Sequence, residues 1–396
     1  DGQSVTQGWG GEWRTGATPS VSGASWNSSL GSGGSVSLGF IASWNGANGA
    51  ARDFRFNGVA CSGSGATSSS TTTTTAPRTT STTTTTAPRT TTTTTRSSTT
   101  VTSPAAYPYP GTVTGSTGAH DPTVVKRPDG SYLVATTGRG IPLKTSTDRT
   151  NWRAAGSAFT GSMPWTSAYT TGDVWAPDLN YLNGQYYLYY SASSFGSSNS
   201  GIFLATSSSG NSGTWTNRGQ VIGTTSSSGY NAIDPDLVVD AQGQWWLSFG
   251  SFWSGIKLIR IDSSTGLRSG NEMYSIAGRG GGAIEAPDIF RAGDYYYLYV
   301  SFDMCCRGAS STYRIMVGRS RSITGPYLDR NGVDMARGGG TQVLAGHGSV
   351  MAAGHSATLH DNDGDVLFYH YYTSSGAALL GINLIGYDSA GWPFVY

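Results

Sequence analysis

Glu285 sits in Gly282-Ala283-Ile284-Glu285-Ala286-Pro287-Asp288-Ile289, a carboxyl group between small and apolar residues at the head of a β-forming run. It has company. Asp121 and Asp234 head runs built the same way, and Trp175 and His355 take the corresponding place in two more. In each case a short apolar run, a glycine-containing turn and a strand rich in aromatic residues follow. Gathering three carboxyl groups costs stability, because mutual repulsion and desolvation both oppose their ionisation. Such a group either holds a cation or does acid and base work. Glu285 has the longest side chain of the three and suits proton donation.

The elements that must position these residues can be counted. Nine residues after Asp121, Trp175, Asp234 and His355 stand Gly130, Gly184, Gly243 and Gly364, and Gly293 follows Glu285 at eight. Thirteen residues on, all five positions are apolar: Val134, Leu188, Leu247, Leu298 and Phe368. Pro128-Asp129-Gly130, Asn183-Gly184, Gln242-Gly243 and Asp363-Gly364 are hairpin signals that join a first strand to a second. A third strand follows, as in Ile202-Phe203-Leu204-Ala205 and Arg314-Ile315-Met316-Val317-Gly318. Five such units predict an all-β, five-bladed β-propeller over 107–396, in which the first strand of each blade lines a central channel. The five key residues then converge on one axis.

Tyr186, Tyr187, Tyr189, Tyr295, Tyr297 and Tyr299 alternate within strands and are expected to pack between blades. Trp175, Phe195 in Ser194-Phe195-Gly196 and Trp253 in Phe252-Trp253-Ser254 are the aromatic candidates for contact with a ligand at the mouth.

The rest of the chain reads differently. Residues 1–61 are rich in Gly and Ser, with Trp9, Trp13, Trp26 and Trp44 among turn formers, and predict short strands of a β-sandwich. Residues 62–106 are nearly all Thr and Ser, with Ala76-Pro77-Arg78 and Ala87-Pro88-Arg89 as punctuation, and cannot bury a core. They are expected to be an extended linker. A formal net charge of +1 over 396 residues gives no reason to invoke nucleic acid, and the apolar runs are too short and too interrupted to span a bilayer. Cys305 and Cys306 are adjacent, so they are either free thiols or a vicinal disulfide; no second cysteine pair supports a metal site.

Two resemblances sharpen this. Ala24-Ser25-Trp26-Asn27-Ser28-Ser29-Leu30 and Ser43-Trp44-Asn45-Gly46, closing on Asn57-Gly58-Val59-Ala60-Cys61, resemble the C-terminal half of a family 2 carbohydrate-binding module. That implies contact with cellulose or xylan through Trp26 and Trp44, weakened here because the N-terminal strands of such a module are missing. His120-Asp121-Pro122, Trp175-Ala176-Pro177-Asp178, Asn231-Ala232-Ile233-Asp234-Pro235, Ile284-Glu285-Ala286-Pro287, Phe302-Asp303-Met304-Cys305-Cys306-Arg307-Gly308 and Ala353-Gly354-His355-Ser356, in that order, resemble an arabinan endo-1,5-α-L-arabinanase of glycoside hydrolase family 43.

The second resemblance implies a secreted, monomeric, inverting glycosidase acting on arabinan. Asp121 would be the general base, Glu285 the general acid and Asp234 the residue that raises the pKa of Glu285 and orients it. His120, Trp175, Phe195 and Trp253 would contact substrate. His355 would lie in the channel, binding a calcium-centred water cluster or supporting the acid, and no organic cofactor is implied. An exo-acting arabinofuranosidase or a β-xylosidase on the same propeller is the alternative, and a non-catalytic carbohydrate-binding propeller is a third reading.

Overall fold

In the computed structural model the described residues are 107–396 and, ahead of them, the stretches 3–9, 12–14, 19–22, 39–44, 55–56 and 59–60. The chain divides into two units, Asp1–Ser103 and Pro104–Tyr396. In the first, Gln3–Trp9 pairs antiparallel with Gly39–Trp44, Glu12–Arg14 with Ser20–Ser22, and Arg55–Phe56 with Val59–Ala60. Trp26, Cys61, the linker 62–106 and the side chain of Trp44 lie outside the described residues.

The second unit is a ring of five sheets, antiparallel except where Thr114–Gly115 lies parallel to Asn151–Ser157, the five-bladed propeller that the repeat predicts. The inner strands are Thr123–Lys126, Trp175–Leu182, Asp236–Val239, Gly281–Ala292 and Ala352–Asp361, for blades 1 to 5 in chain order. Each blade is covered on both faces by its neighbours, which explains strands that are apolar throughout. Tyr186, Leu188 and Tyr190 join Leu133 and Ile141 of blade 1 in one core cluster, while Tyr187 and Tyr189 from the same strand join Trp245 and Leu247 of blade 3 in another. Tyr297 and Tyr299 pack toward Leu367 and Tyr369 of blade 5. The ring closes where Gly111 and Ala119 donate their N–H groups to the carbonyls of Ile382 and Ala378 on blade 5.

The start of each inner strand is where the blades are tied to one another. One residue there has a left-handed backbone: Asp121 (φ 48°), Ala176 (φ 44°), Asp234 (φ 58°), Ala286 (φ 53°) and His355 (φ 52°). For residues other than glycine that conformation costs on the order of 1 kcal/mol or more each. In return, each N–H is directed to the preceding blade. Asp121 donates to His370 Nδ1 at 3.1 Å, Ala176 to Thr137 Oγ1 at 2.8 Å and Asp234 to Ser191 Oγ at 2.9 Å. Ala286 donates to Asp234 Oδ2 at 2.9 Å and His355 to Ser301 Oγ at 2.8 Å.

Two residues further along, a second girdle repeats the device with side chains. Thr123 Oγ1 accepts the N–H of Leu179, Asp178 Oδ2 that of Leu237, and Asp236 Oδ2 that of Ile289, at 3.0, 2.9 and 2.9 Å. Asp288 Oδ1 accepts the hydroxyl of Thr358 at 3.0 Å.

This register corrects the glycine count. Trp175 and Glu285 stand one residue ahead of the left-handed position; Ala176 and Ala286 occupy it. The cause is where the glycine stands. It follows the last paired residue of the inner strand by four positions after Lys126 and Val239 and by three after Asp361, but by only two after Leu182 and one after Ala292. Counting back from the glycine therefore lands early in blades 2 and 4.

Candidate active site

Asp121, Asp234, Glu285 and His355 all lie at this end of the inner strands, and the structure brings them together as the repeat predicts. Asp121 is buried, and its carboxylate is wrapped by donors. Thr137 Oγ1 donates to Oδ2 at 2.6 Å, His120 Nδ1 stands 2.9 Å from Oδ2, and His355 Nδ1 stands 3.2 Å from Oδ1. Burial opposes the charge, but the His120 and His355 imidazoles beside it outweigh that. They hold the Asp121 carboxyl well below the usual carboxylate range.

The three imidazoles are not equivalent. His370 is fully buried and its Nδ1 accepts the Asp121 N–H, so it stays neutral; burial first, then His120, push it well below its ordinary value. Burial also lowers His355. His120 moves the other way: burial opposes its charge, but Asp121 and then Glu285 favour it and its pKa is raised. His120 stacks on His370 with ring centroids 4.2 Å apart.

Glu285 and Asp234 form the opposite kind of environment. Glu285 Oε1 accepts from the Tyr313 hydroxyl and Oε2 from Ser251 Oγ, both at 2.8 Å. Burial pushes its pKa up; those two hydrogen bonds pull it back, and the charge on Asp121 pushes it up again. Asp234 stands well above its ordinary value, through burial, then the charges of Glu285 and Asp121, against the single N–H of Ala286. Two buried carboxyls whose charges act on each other titrate as a unit. One end of the site therefore favours an ionised carboxylate and the other opposes ionisation, which is the division of labour that acid and base catalysis on a glycosidic bond requires.

The sequence profile of Glycosyl hydrolases family 43 matches residues 112–393, the propeller from its closing segment to its last strand. The chain belongs to glycosyl hydrolase family 43.

Residues 1–61 match a second profile, described as Cellulose binding domain. The family 43 domain is similar to the extracellular endo-α-(1→5)-L-arabinanase 1 of Bacillus subtilis, 47% identical over 284 residues, covering 69% of this chain and 86% of that protein. Among solved structures it resembles an exo-1,5-α-L-arabinanase from a bovine ruminal metagenomic library, with a TM-score of 0.68 and 37% identity over 72% of this chain and 99% of that one. It also resembles a Cellvibrio cellulosa α-L-arabinanase complexed with arabinohexaose, with a TM-score of 0.67 and 37% identity over 70% of this chain and 95% of that one.

The aromatic candidates of the family 43 domain sit around the same face. Antiparallel order places the loops between second and third strands on the side where the inner strands begin. Phe195 occupies that loop in blade 2 and is 70% exposed. Trp253 occupies it in blade 3, half-buried, on a short strand that pairs with the Glu285 strand, Ser251 opposite Glu285 and Trp253 opposite Gly281. Trp175 is half-buried and pairs with Ser191.

Sequence reasoning missed several residues that hold the site. Tyr313, Ser251, Thr137, His370 and Tyr372 come from second and third strands or the loops after them, where no repeat position singled them out. Gly354 is part of the same construction: a Cβ there would meet Tyr313 Cδ1 at 2.1 Å, so only glycine lets that ring lie beside Glu285. Asp178, Asp236 and Asp288 form a second acidic layer below the first, and burial pushes Asp236 up to about 7. A signal for them exists in Ala176-Pro177-Asp178, Asp234-Pro235-Asp236 and Ala286-Pro287-Asp288, a Pro-Asp repeat that also marks the true register.

For a metal, the described residues contain one tight cluster: His120, Asp121 and His370, whose ligand atoms all lie within 4.8 Å of one another. His355, the expected channel ligand, is not part of it and has its Nδ1 against Asp121. Cys305 and Cys306 are joined as a vicinal disulfide. No helix among the described residues is long and apolar enough to cross a membrane.

Proposed function

We propose that the family 43 domain hydrolyses α-1,5-linked arabinan by an endo-acting, inverting mechanism, with Asp121 as general base and Glu285 as general acid. The observation that carries this is the opposed environments of the two carboxyls: imidazoles and a hydroxyl favour an ionised Asp121, while burial and the charge of Asp121 raise the pKa of Glu285. Asp121 takes a proton from water as its oxygen attacks the anomeric carbon, and Glu285 gives its proton to the departing glycosidic oxygen. Solvent then restores both groups. Inversion calls for carboxyls roughly 6.5 to 9.5 Å apart, with room for that water.

Asp234 supports the acid in two ways: it binds the N–H of Ala286, which fixes the backbone beside Glu285, and its carboxyl opposes ionisation of the pair. Trp175, Phe195 and Trp253, with His120, are proposed to contact the sugar. The Bacillus subtilis relative named an endo-arabinanase favours endo action, and the exo-named ruminal structure supplies the alternative. Reducing-sugar release on linear arabinan, xylan and cellulose tests the substrate: arabinan should be cleaved, giving a ladder of oligosaccharides. Arabinose or one short product from the first time points would favour the exo reading.

The Cellulose binding domain match over residues 1–61 supports a polysaccharide-binding role for that unit. Extracellular action is proposed from the relative named extracellular and from the disulfide, a bond that persists in oxidising compartments. A channel cation is proposed in a narrow form. Calcium takes six to eight oxygen ligands, and His355 offers one imidazole whose Nδ1 already faces Asp121. A calcium ion held by His355 would fit only with water as most of its shell, and would supply a fixed positive charge to the site. Exhaustive chelation with elemental analysis tests it.

A further inference from the structure

Two adjacent cysteines that bond to each other enclose almost no chain, so the loop-closure term that makes other disulfides stabilising is nearly absent. The Cys305–Cys306 bridge therefore acts on what lies next to it. It sits in the loop between the second and third strands of blade 4, on the face that carries Asp121 and Glu285. The root of that loop is anchored, with Asp303 bound by Arg279 at 2.9 Å and by Arg314 at 2.7 Å. Cys305 packs with Tyr313, Tyr372 and Ala352.

The tip reaches blades 5 and 1. The N–H of Cys306 donates to the Tyr372 hydroxyl at 2.9 Å, that hydroxyl lies 2.8 Å from His120 Nε2, and His120 Nδ1 lies 2.9 Å from Asp121 Oδ2. Cys306 Sγ itself rests 3.7 Å from His120 Nε2. The direction of this chain follows from its donors. A hydroxyl that accepts the peptide N–H has its own proton free to give to Nε2, which leaves the proton of a neutral imidazole on Nδ1, facing Asp121. Closing the two cysteines into one small covalent ring fixes the peptide between them, with Cys306 at φ 65°, and so fixes where its N–H points.

We propose that the vicinal disulfide is a positioning element for the catalytic base: it locks the Cys306 N–H onto Tyr372, and through Tyr372 sets the orientation and tautomer of His120 against Asp121. This rests on Asp121 being the base.

The test is a double-mutant cycle on linear arabinan in the full chain, using C305A/C306A, Tyr372→Phe, the combination of the three changes, and Asp121→Asn alongside. The disulfide variant should lose about 10- to 100-fold in kcat with KM little changed, the scale of a misplaced supporting group. Tyr372→Phe should lose a similar factor, and the combination should lose no more than either, because all act through one relay. Wild-type kcat in a folded C305A/C306A protein, or losses that multiply, would overturn the proposal. If that variant does not fold, wild-type enzyme opened with dithiothreitol, with the free thiols confirmed by titration, takes its place. It should show the same fall in kcat, reversed on reoxidation, and unchanged kcat would overturn the idea. Asp121→Asn separates the two layers of argument. Retained hydrolysis there removes the base assignment itself, whereas an inactive Asp121→Asn beside a wild-type-like disulfide variant removes only the role given to the disulfide.

Discussion

The peptide N–H of Ala286, the residue after Glu285, donates to Asp234 Oδ2 at 2.9 Å. The two carboxyls are thus joined through one backbone unit, and the left-handed conformation of Ala286 is what directs that N–H to blade 3. Asparagine at 234 keeps an oxygen for the N–H and removes the carboxyl that titrates together with Glu285. The pair then loses its acid form with one proton rather than two, so the basic limb of kcat/KM against pH should move to lower pH for Asp234→Asn. The expected loss in kcat is about 100-fold or more. A basic limb that stays in place would detach Asp234 from the acid.

Tyr313 predicts the reverse shift. Its hydroxyl and that of Ser251 both donate to Glu285, which favours the ionised form. Tyr313→Phe should therefore raise the basic limb while lowering kcat by about 10-fold through lost orientation. Opposite shifts from neighbouring variants are hard to obtain by general loosening, and pH–rate profiles of the two measured together check both.

Phe195 is largely exposed and Trp253 is carried on the strand beside Glu285, so truncation of either should leave the fold intact and weaken sugar stacking. Each alanine variant is expected to raise KM on arabinan about 2- to 10-fold, from stacking worth about 0.5 to 1.5 kcal/mol, with kcat little changed. Steady-state kinetics on the polymer measure the split.

The lower acidic layer makes a prediction about stability. Burial raises Asp178, Asp236 and Asp288 above their ordinary values, Asp236 to about 7. Unfolded, such carboxyls lose their protons near pH 4. Between there and neutrality the native state binds more protons, so stability falls as pH rises. The melting temperature should drop from pH 4 to pH 7. Asp236→Asn should flatten that drop, because Oδ2 takes both the Ile289 N–H and the Ser248 hydroxyl and an amide oxygen can replace it.

Much of this was legible in the residues. The glycine turns and apolar positions of the five units give the propeller, and the acids at 121, 234 and 285 mark the end of the inner strands where the candidate site lies. The slip at Trp175 and Glu285 arose because the glycine falls at different places in the turns, while the Pro-Asp pairs keep one distance from the left-handed residue. Tyr313, His370 and Tyr372 could not be read, since their importance lies in meeting across blades residues far away in the chain. Adjacent cysteines could be noticed, but only the fold shows that Cys306 rests against His120.

The most direct measurement of the central claim compares Glu285→Gln on two substrates: linear arabinan, whose departing sugar oxygen must be protonated, and an arabino-oligosaccharide carrying a nitrophenol that leaves without help. The assignment of Glu285 as general acid predicts that arabinan hydrolysis falls by about 100- to 10,000-fold, the range of such catalysis, with a much smaller loss on the nitrophenyl substrate. Equal losses on both, or arabinan hydrolysis near the wild-type rate, would contradict it.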